Sequence, residues 1–198
     1  MSLINLPRMF LSENEGWPDI VRIHPSVTKL LLFFVMPMSV IPPLMYAYAQ
    51  LVYPGVVTPL VEPPLTVREL AVVGAAFFII EVAMVALMAT YIQVLGESAG
   101  VRPPYAEAYT LAAIAPTPLW LAALALFIPS AWVNALIVCA AWVGAAALIR
   151  HGVRPLFKMD DEAKAHRLAN TITLTGVVVW FGLIAVLVMF LGILLGWR

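Results

Sequence analysis

A single carboxylate, Glu81, interrupts the apolar run AAFFIIEVAMVALMATY. A charged group at mid-bilayer costs about 3 kcal/mol or more, and acids at that depth usually face a protein interior or a water path. The chemistry open to Glu81 is the capture of a proton or cation. The plainer reading is a neutral carboxyl hydrogen-bonded to a freed backbone carbonyl or to a Tyr of another helix. Gln93 and Tyr91, two turns or more further on, extend a polar face without defining a site.

Other reactive residue types are present, but not in patterns that catalysis requires. Asp160, Asp161 and Glu162 are consecutive acids of a kind used in metal-assisted phosphoryl chemistry. Acids at a helix start are accounted for by capping and by the helix dipole, with Asp160 the expected N-cap. His24, His151 and His166 do not share a helical ligand spacing, and the single Cys139 lies within an apolar run. Glu97, Glu107 and Tyr109 fall at a membrane boundary, where solvation is expected. Asn134, Thr171, Thr173 and Thr175 read as polar residues at helix contacts. No P-loop, dinucleotide fingerprint or placeable Ser-His-Asp set occurs. The expectation is a protein without metal or cofactor that is not an enzyme.

The elements that must position Glu81 follow from composition. Of 198 residues, 63% are hydrophobic and 11% charged, with net charge zero. Soluble domains carry roughly 25% charged residues. The neutral balance gives no support to a nucleic-acid partner. The apolar residues form five runs of about the 20 residues that span a bilayer as a helix. They extend over roughly Val27 to Val52, Thr66 to Leu95, Ala106 to Ile128, Trp132 to Ile149 and Leu168 to Leu195. The first starts after an acidic, Pro-containing segment, which does not fit a cleavable signal.

With the N-terminus inside, the inner side holds Arg8, Arg22, Lys29, Arg102, Arg150, Arg154, Lys158, Lys164 and Arg167, and the outer side Arg68 and Arg198. This asymmetry predicts an inside N-terminus and an outside C-terminus. Residues 1–26 read as an interfacial segment, with Trp17 at the headgroups, and residues 27–198 as one transmembrane domain. Arg150, Arg154 and Lys158 form a basic loop placed to meet anionic lipid or a partner, and each adds about 1 kcal/mol of surface attraction. Gly192 and Gly196 match a small-xxx-small contact pattern at the end of the last run.

Prolines interrupt two of the runs. The first has Pro37, Pro42 and Pro43 in VMPMSVIPPLMYAYA, and the third has Pro116 and Pro118 in APTPLW. Pro116 removes the bond to the carbonyl of Ala112, and Pro118 the bond to that of Ile114. Bare carbonyls in hydrocarbon cost several kcal/mol each, so something must cover them. Thr117 is one candidate, by bonding backwards. Neighbouring helices and water are the others. Two kinked helices in one small bundle are expected to pack around a shared irregular region.

The segments FFVMPMSVIPPL, AYTLAAIAPTPLWLAALALFIP and HGVRPLFKMDDEAKAHRLANTITLT resemble the Yip1-domain family of small five-span membrane proteins. The most specific parts run from Tyr109 to Leu121, followed by Ile128-Pro129, and from Gly152 to Lys164. The resemblance implies five helices with a cytoplasmic N-terminus. It makes Pro116, Pro118, Trp120 and Pro129 architectural residues. Eukaryotic relatives act in vesicle traffic with prenylated GTPases. This chain lacks their longer soluble N-terminal region and is similar to the short prokaryotic members.

The fold expected is therefore an all-α membrane protein of five transmembrane helices, the first and third distorted by proline. The function expected is a non-enzymatic scaffold or adaptor in the bacterial inner membrane, working with lipids and with a protein partner or a second copy. The alternatives are a small transporter or channel using Glu81, and a subunit of a larger membrane complex.

Overall fold

The structure, a computed structural model, describes Met9, Ser12, residues 16–56 and residues 65–194. Arg8, Arg198, Gly196 and most of the segment before Gly16 lie outside the described residues. The described chain has no strand. A short helix, α1 (Trp17–Ile23), precedes five helices long and apolar enough to cross a membrane. These are α2 (Val27–Val52), α3 (Val67–Ser98), α4 (Tyr105–Phe127), α5 (Ala131–Phe157) and α6 (Glu162–Leu194). The protein is an integral membrane protein.

Helix boundaries follow local chemistry. Thr66 and Glu69 form a reciprocal cap on α3: the Glu69 amide donates to Thr66 Oγ1 at 3.3 Å and the Thr66 amide to Glu69 Oε2 at 2.8 Å. With 32 residues, α3 is about 48 Å long and outreaches the hydrocarbon layer of about 30 Å. Gln93 spends its amide on this overhang, donating to the Pro103 carbonyl at 3.2 Å across the turn into α4. Ser130 caps α5, accepting from the Val133 amide at 3.5 Å.

At the start of α6 the cap is Asp161 and not Asp160, as Asp161 Oδ1 accepts from the Lys164 amide at 3.0 Å. The segment expected as a basic loop after Ile149 is largely helical. Helix α5 continues through Pro155 to Phe157 and ends on Lys158 in the left-handed conformation (φ 51°). The Met159 amide then closes on the Arg154 carbonyl at 3.1 Å.

Helix α4 is the centre of the bundle: 56% of its apolar window is buried, against 11% for α6. It packs on α2, α3 and α5, whereas α6 packs on α3 and α5. Large side chains left outside, among them Trp132, Leu136, Val143, Leu174 and Val178, form an apolar exterior suited to lipid. The Tyr109 side chain is buried in the first turns of α4, so this boundary residue is not solvated as expected. Glu97 is exposed and Glu107 half-buried.

Trp17 is packed inside the protein. It is 0% exposed, and its indole N–H donates to the Met9 carbonyl at 3.3 Å. Its ring lies so close to α5 that a Cβ at Gly152 would sit 2.6 Å from Trp17 Cζ2 and 2.9 Å from Leu111 Cδ1. Gly152 is therefore the contact that joins α1, α4 and α5. Replacing it by Ala forces the rigid indole outward, and overpacking of this kind costs about 1–3 kcal/mol. Thermal unfolding in micelles should show Gly152→Ala destabilised by that amount, with part of the loss recovered when Trp17→Leu is added. An unchanged melting profile for Gly152→Ala would contradict the close packing.

Candidate functional site

Helices α3, α4, α5 and α6 form a ring. Consecutive members touch, but no substantial contact crosses between α3 and α5 or between α4 and α6. The centre is a chamber of about 340 Å³, with Pro42 and Tyr46 of α2 on its wall. Its lining on α5 runs from Asn134 to Ile149. At 1.5 Å per residue this is about 22 Å, more than one leaflet of a hydrocarbon layer about 30 Å thick. Small side chains leave this space open: Ala112, Ala115 and Ala122 of α4, Ala145 and Ala146 of α5, and Gly176 of α6 all face it.

The distorted helices make the chamber wall irregular. In α4, regular helix stops at Ile114, restarts at Thr117–Ala122 and tightens to a 3-10 turn over Ala123–Phe127. Pro118 falls in the first turn of the restarted segment, where its missing amide proton is least needed. Thr117 is 1% exposed, and its hydroxyl donates to the Ile114 carbonyl at 2.7 Å. The carbonyl freed by Pro118 is thus covered from within α4 and not by a sister helix. Helix α2 absorbs Pro37 with a π turn at Leu31–Val35, where the Met36 amide reaches back to the Leu31 carbonyl. After a break at Val40, Pro42 and Pro43 occupy the first turn of Ile41–Val52. The two distorted helices pack together, and Pro42 and Pro116 both line the chamber. Pro129 is exposed in the turn from α4 to α5.

Glu81 lies on the chamber wall at the middle of α3. Trp120 shares that wall, and Glu81 Oε2 is buried with no partner. Trp120 is itself buried and meets Phe34 edge-on, ring centres 6.5 Å apart. Across the chamber, Trp142 and Trp180 pack edge-to-face at 5.2 Å. Asn134 donates its amide to the carbonyls of Ile128 and Ser130 at 3.0 and 2.9 Å, tying the α4–α5 turn. Its Oδ1 remains buried without a partner.

The structure thus brings Glu81 to Trp120, Pro42 and Pro116, which are far apart in sequence. Asn134, Trp142 and Trp180 belong to the same chamber and were not singled out as a site. Two tryptophans deep inside apolar runs, away from the ends where Trp is usual, were the available signal. Arg150, Arg154 and Lys158 stand apart at the end of α5, with Arg150 and Lys158 exposed. His166 pairs with Glu162 at 4.0 Å, His151 Nδ1 is buried without a partner, and Cys139 is exposed. Among the described residues, no three His, Cys, Asp or Glu side chains gather where they could hold a metal ion. Thr171, Thr173 and Thr175 each bond a carbonyl one turn back in α6, at 3.0, 2.8 and 2.9 Å.

Residues 8–183 match the family model of the Yip1 domain. The chain belongs to the Yip1 family. No curated protein and no solved structure gives a significant match. Within this Yip1 domain, the proline block and the mid-membrane acid share one chamber through Trp120.

The chamber wall depends on the Thr117 hydroxyl. Thr117→Val keeps the shape but leaves the Ile114 carbonyl bare, and should cost about 1–3 kcal/mol. Thr117→Ser should stay near wild type in thermal unfolding. Equal stability of the Val and Ser variants would show that the bond is dispensable.

Proposed function

We propose that this Yip1-family protein is a non-enzymatic membrane adaptor whose basic end is its docking platform. The observation that carries the reading is the packing of Trp17 on Gly152. It clamps the N-terminal segment to the helical turn flanked by Arg150 and Arg154, so the basic side chains sit on a fixed frame. A rigid cationic surface suits anionic headgroups or an acidic face of a partner protein or second copy. The Lys and Arg asymmetry supports an inside N-terminus in a bacterial cytoplasmic membrane. Affinity capture from native membranes in mild detergent should recover a stoichiometric protein or lipid partner. The double variant Arg150→Glu, Lys158→Glu should lose it by about tenfold at unchanged melting temperature. Recovery of the wild-type protein alone would remove this reading.

The chamber favours a second reading, a small carrier, since an acid within a membrane span often marks an ion or substrate pathway. Flux in proteoliposomes should then fall about tenfold or more in Glu81→Gln, because a buried charged partner is removed. Flux equal to that of empty liposomes would exclude transport of the solutes tried.

A further inference from the structure

We infer that the chamber between α3, α4, α5 and α6 binds a single-chain amphiphile with a protonated amine head, the amine meeting Glu81 and the chain lying along the ring axis. This shares its site with the carrier reading and rests on it for location only: occupancy is required here, translocation is not.

Charge is the first argument. Among the described residues, Glu81 is the sole ionisable acid or base on the chamber wall apart from the phenol of Tyr46, and no Lys, Arg or His lines it. A carboxylate held there has no internal counter-ion, so the complementary ligand is cationic. Hydrogen-bonding capacity is the second. Glu81 Oε2 and Asn134 Oδ1 are both bare and buried, and Asn134 as a residue is only 8% exposed. The Asn134 amide orientation is fixed by its two donated bonds, so the atom left over is an acceptor. Bare acceptors call for a ligand that donates, and an ammonium donates without accepting. Aromatic faces are the third. Trp120, Trp142 and Trp180 all line the space, and indole is the ring that attracts ammonium groups most strongly.

The rest of the wall selects for the chain. It is apolar over about 22 Å, too long for a head group alone. A bare metal cation is a poor fit, because hard cations need about six oxygen ligands. A fatty acid would set a second carboxyl beside Glu81. A fatty alcohol satisfies an acceptor but supplies no charge.

The protein in phosphatidylcholine nanodiscs can be titrated with bromine-tagged long-chain amine, alcohol and fatty acid of equal length, reading quenching of tryptophan fluorescence. The wild type should bind the amine saturably and about tenfold more tightly than the alcohol, the margin of a charge-assisted contact over a neutral one. Glu81→Gln should bring the amine to the affinity of the alcohol while leaving the alcohol unchanged, which also shows that the variant is folded. Gly176→Leu should abolish saturable binding of both, because a Cβ there meets only Met88 Cε at 3.9 Å and a larger side chain projects into the chamber. Equal wild-type affinity for amine and alcohol, an amine affinity untouched by Glu81→Gln, preference for the fatty acid, or the same unsaturable quenching in wild type and Gly176→Leu would each overturn the inference.

Discussion

In hydrocarbon, water cannot cover a backbone carbonyl, and this constraint shapes the protein more than any side-chain contact. Five prolines in α2 and α4 withhold amides from the helical ladder. The chain meets the deficit locally. It restarts helices so that Pro42, Pro43 and Pro118 fall in first turns, widens one turn for Pro37, and gives the Ile114 carbonyl the Thr117 hydroxyl. Each device is contained in its own helix. For Ile114 the cover comes from within α4, with no other helix reaching in.

That independence has a consequence for packing. A helix whose defects are satisfied internally can stand next to open space. Helix α4 does so: it is the most enclosed span of the bundle, yet one side faces the chamber and makes no substantial contact with α6. At the other extreme is the basic end, where Gly152 lets Trp17 approach more closely than any side chain would permit. The bundle is thus tight at the basic end and open in the middle.

Much of this was legible in the sequence, for physical reasons. Span number follows from composition and length, because each apolar run must cross on its own. The deficit at Ile114, and Thr117 as its cover, follow from the four-residue helical ladder. Both are local properties. The burial of Trp17 was not legible: an indole near an apolar boundary suits a headgroup as well as a pocket, and only the distant Gly152 distinguishes them. The extension of α5 to Phe157 was hidden by Pro155 and by its polar, charged sequence, which reads as loop. The meeting of Glu81 with Trp120 joins residues on different helices, and a periodicity argument carries no information about which faces meet.

Small residues are the least obvious part of the design. In membrane helices, alanine and glycine usually mark faces where backbones approach closely. Read that way, the alanines of α4 and α5 and Gly176 would predict a dense centre. In this ring the same small side chains line the chamber instead. The position of Glu81 then makes physical sense. On the outer face of α3 it would meet lipid tails with no polar neighbour. On the chamber wall it neighbours Trp120, and its Oε2 is left without a partner. Glu81 sits where α3 borders the chamber, with Pro42 and Pro116 on the same wall.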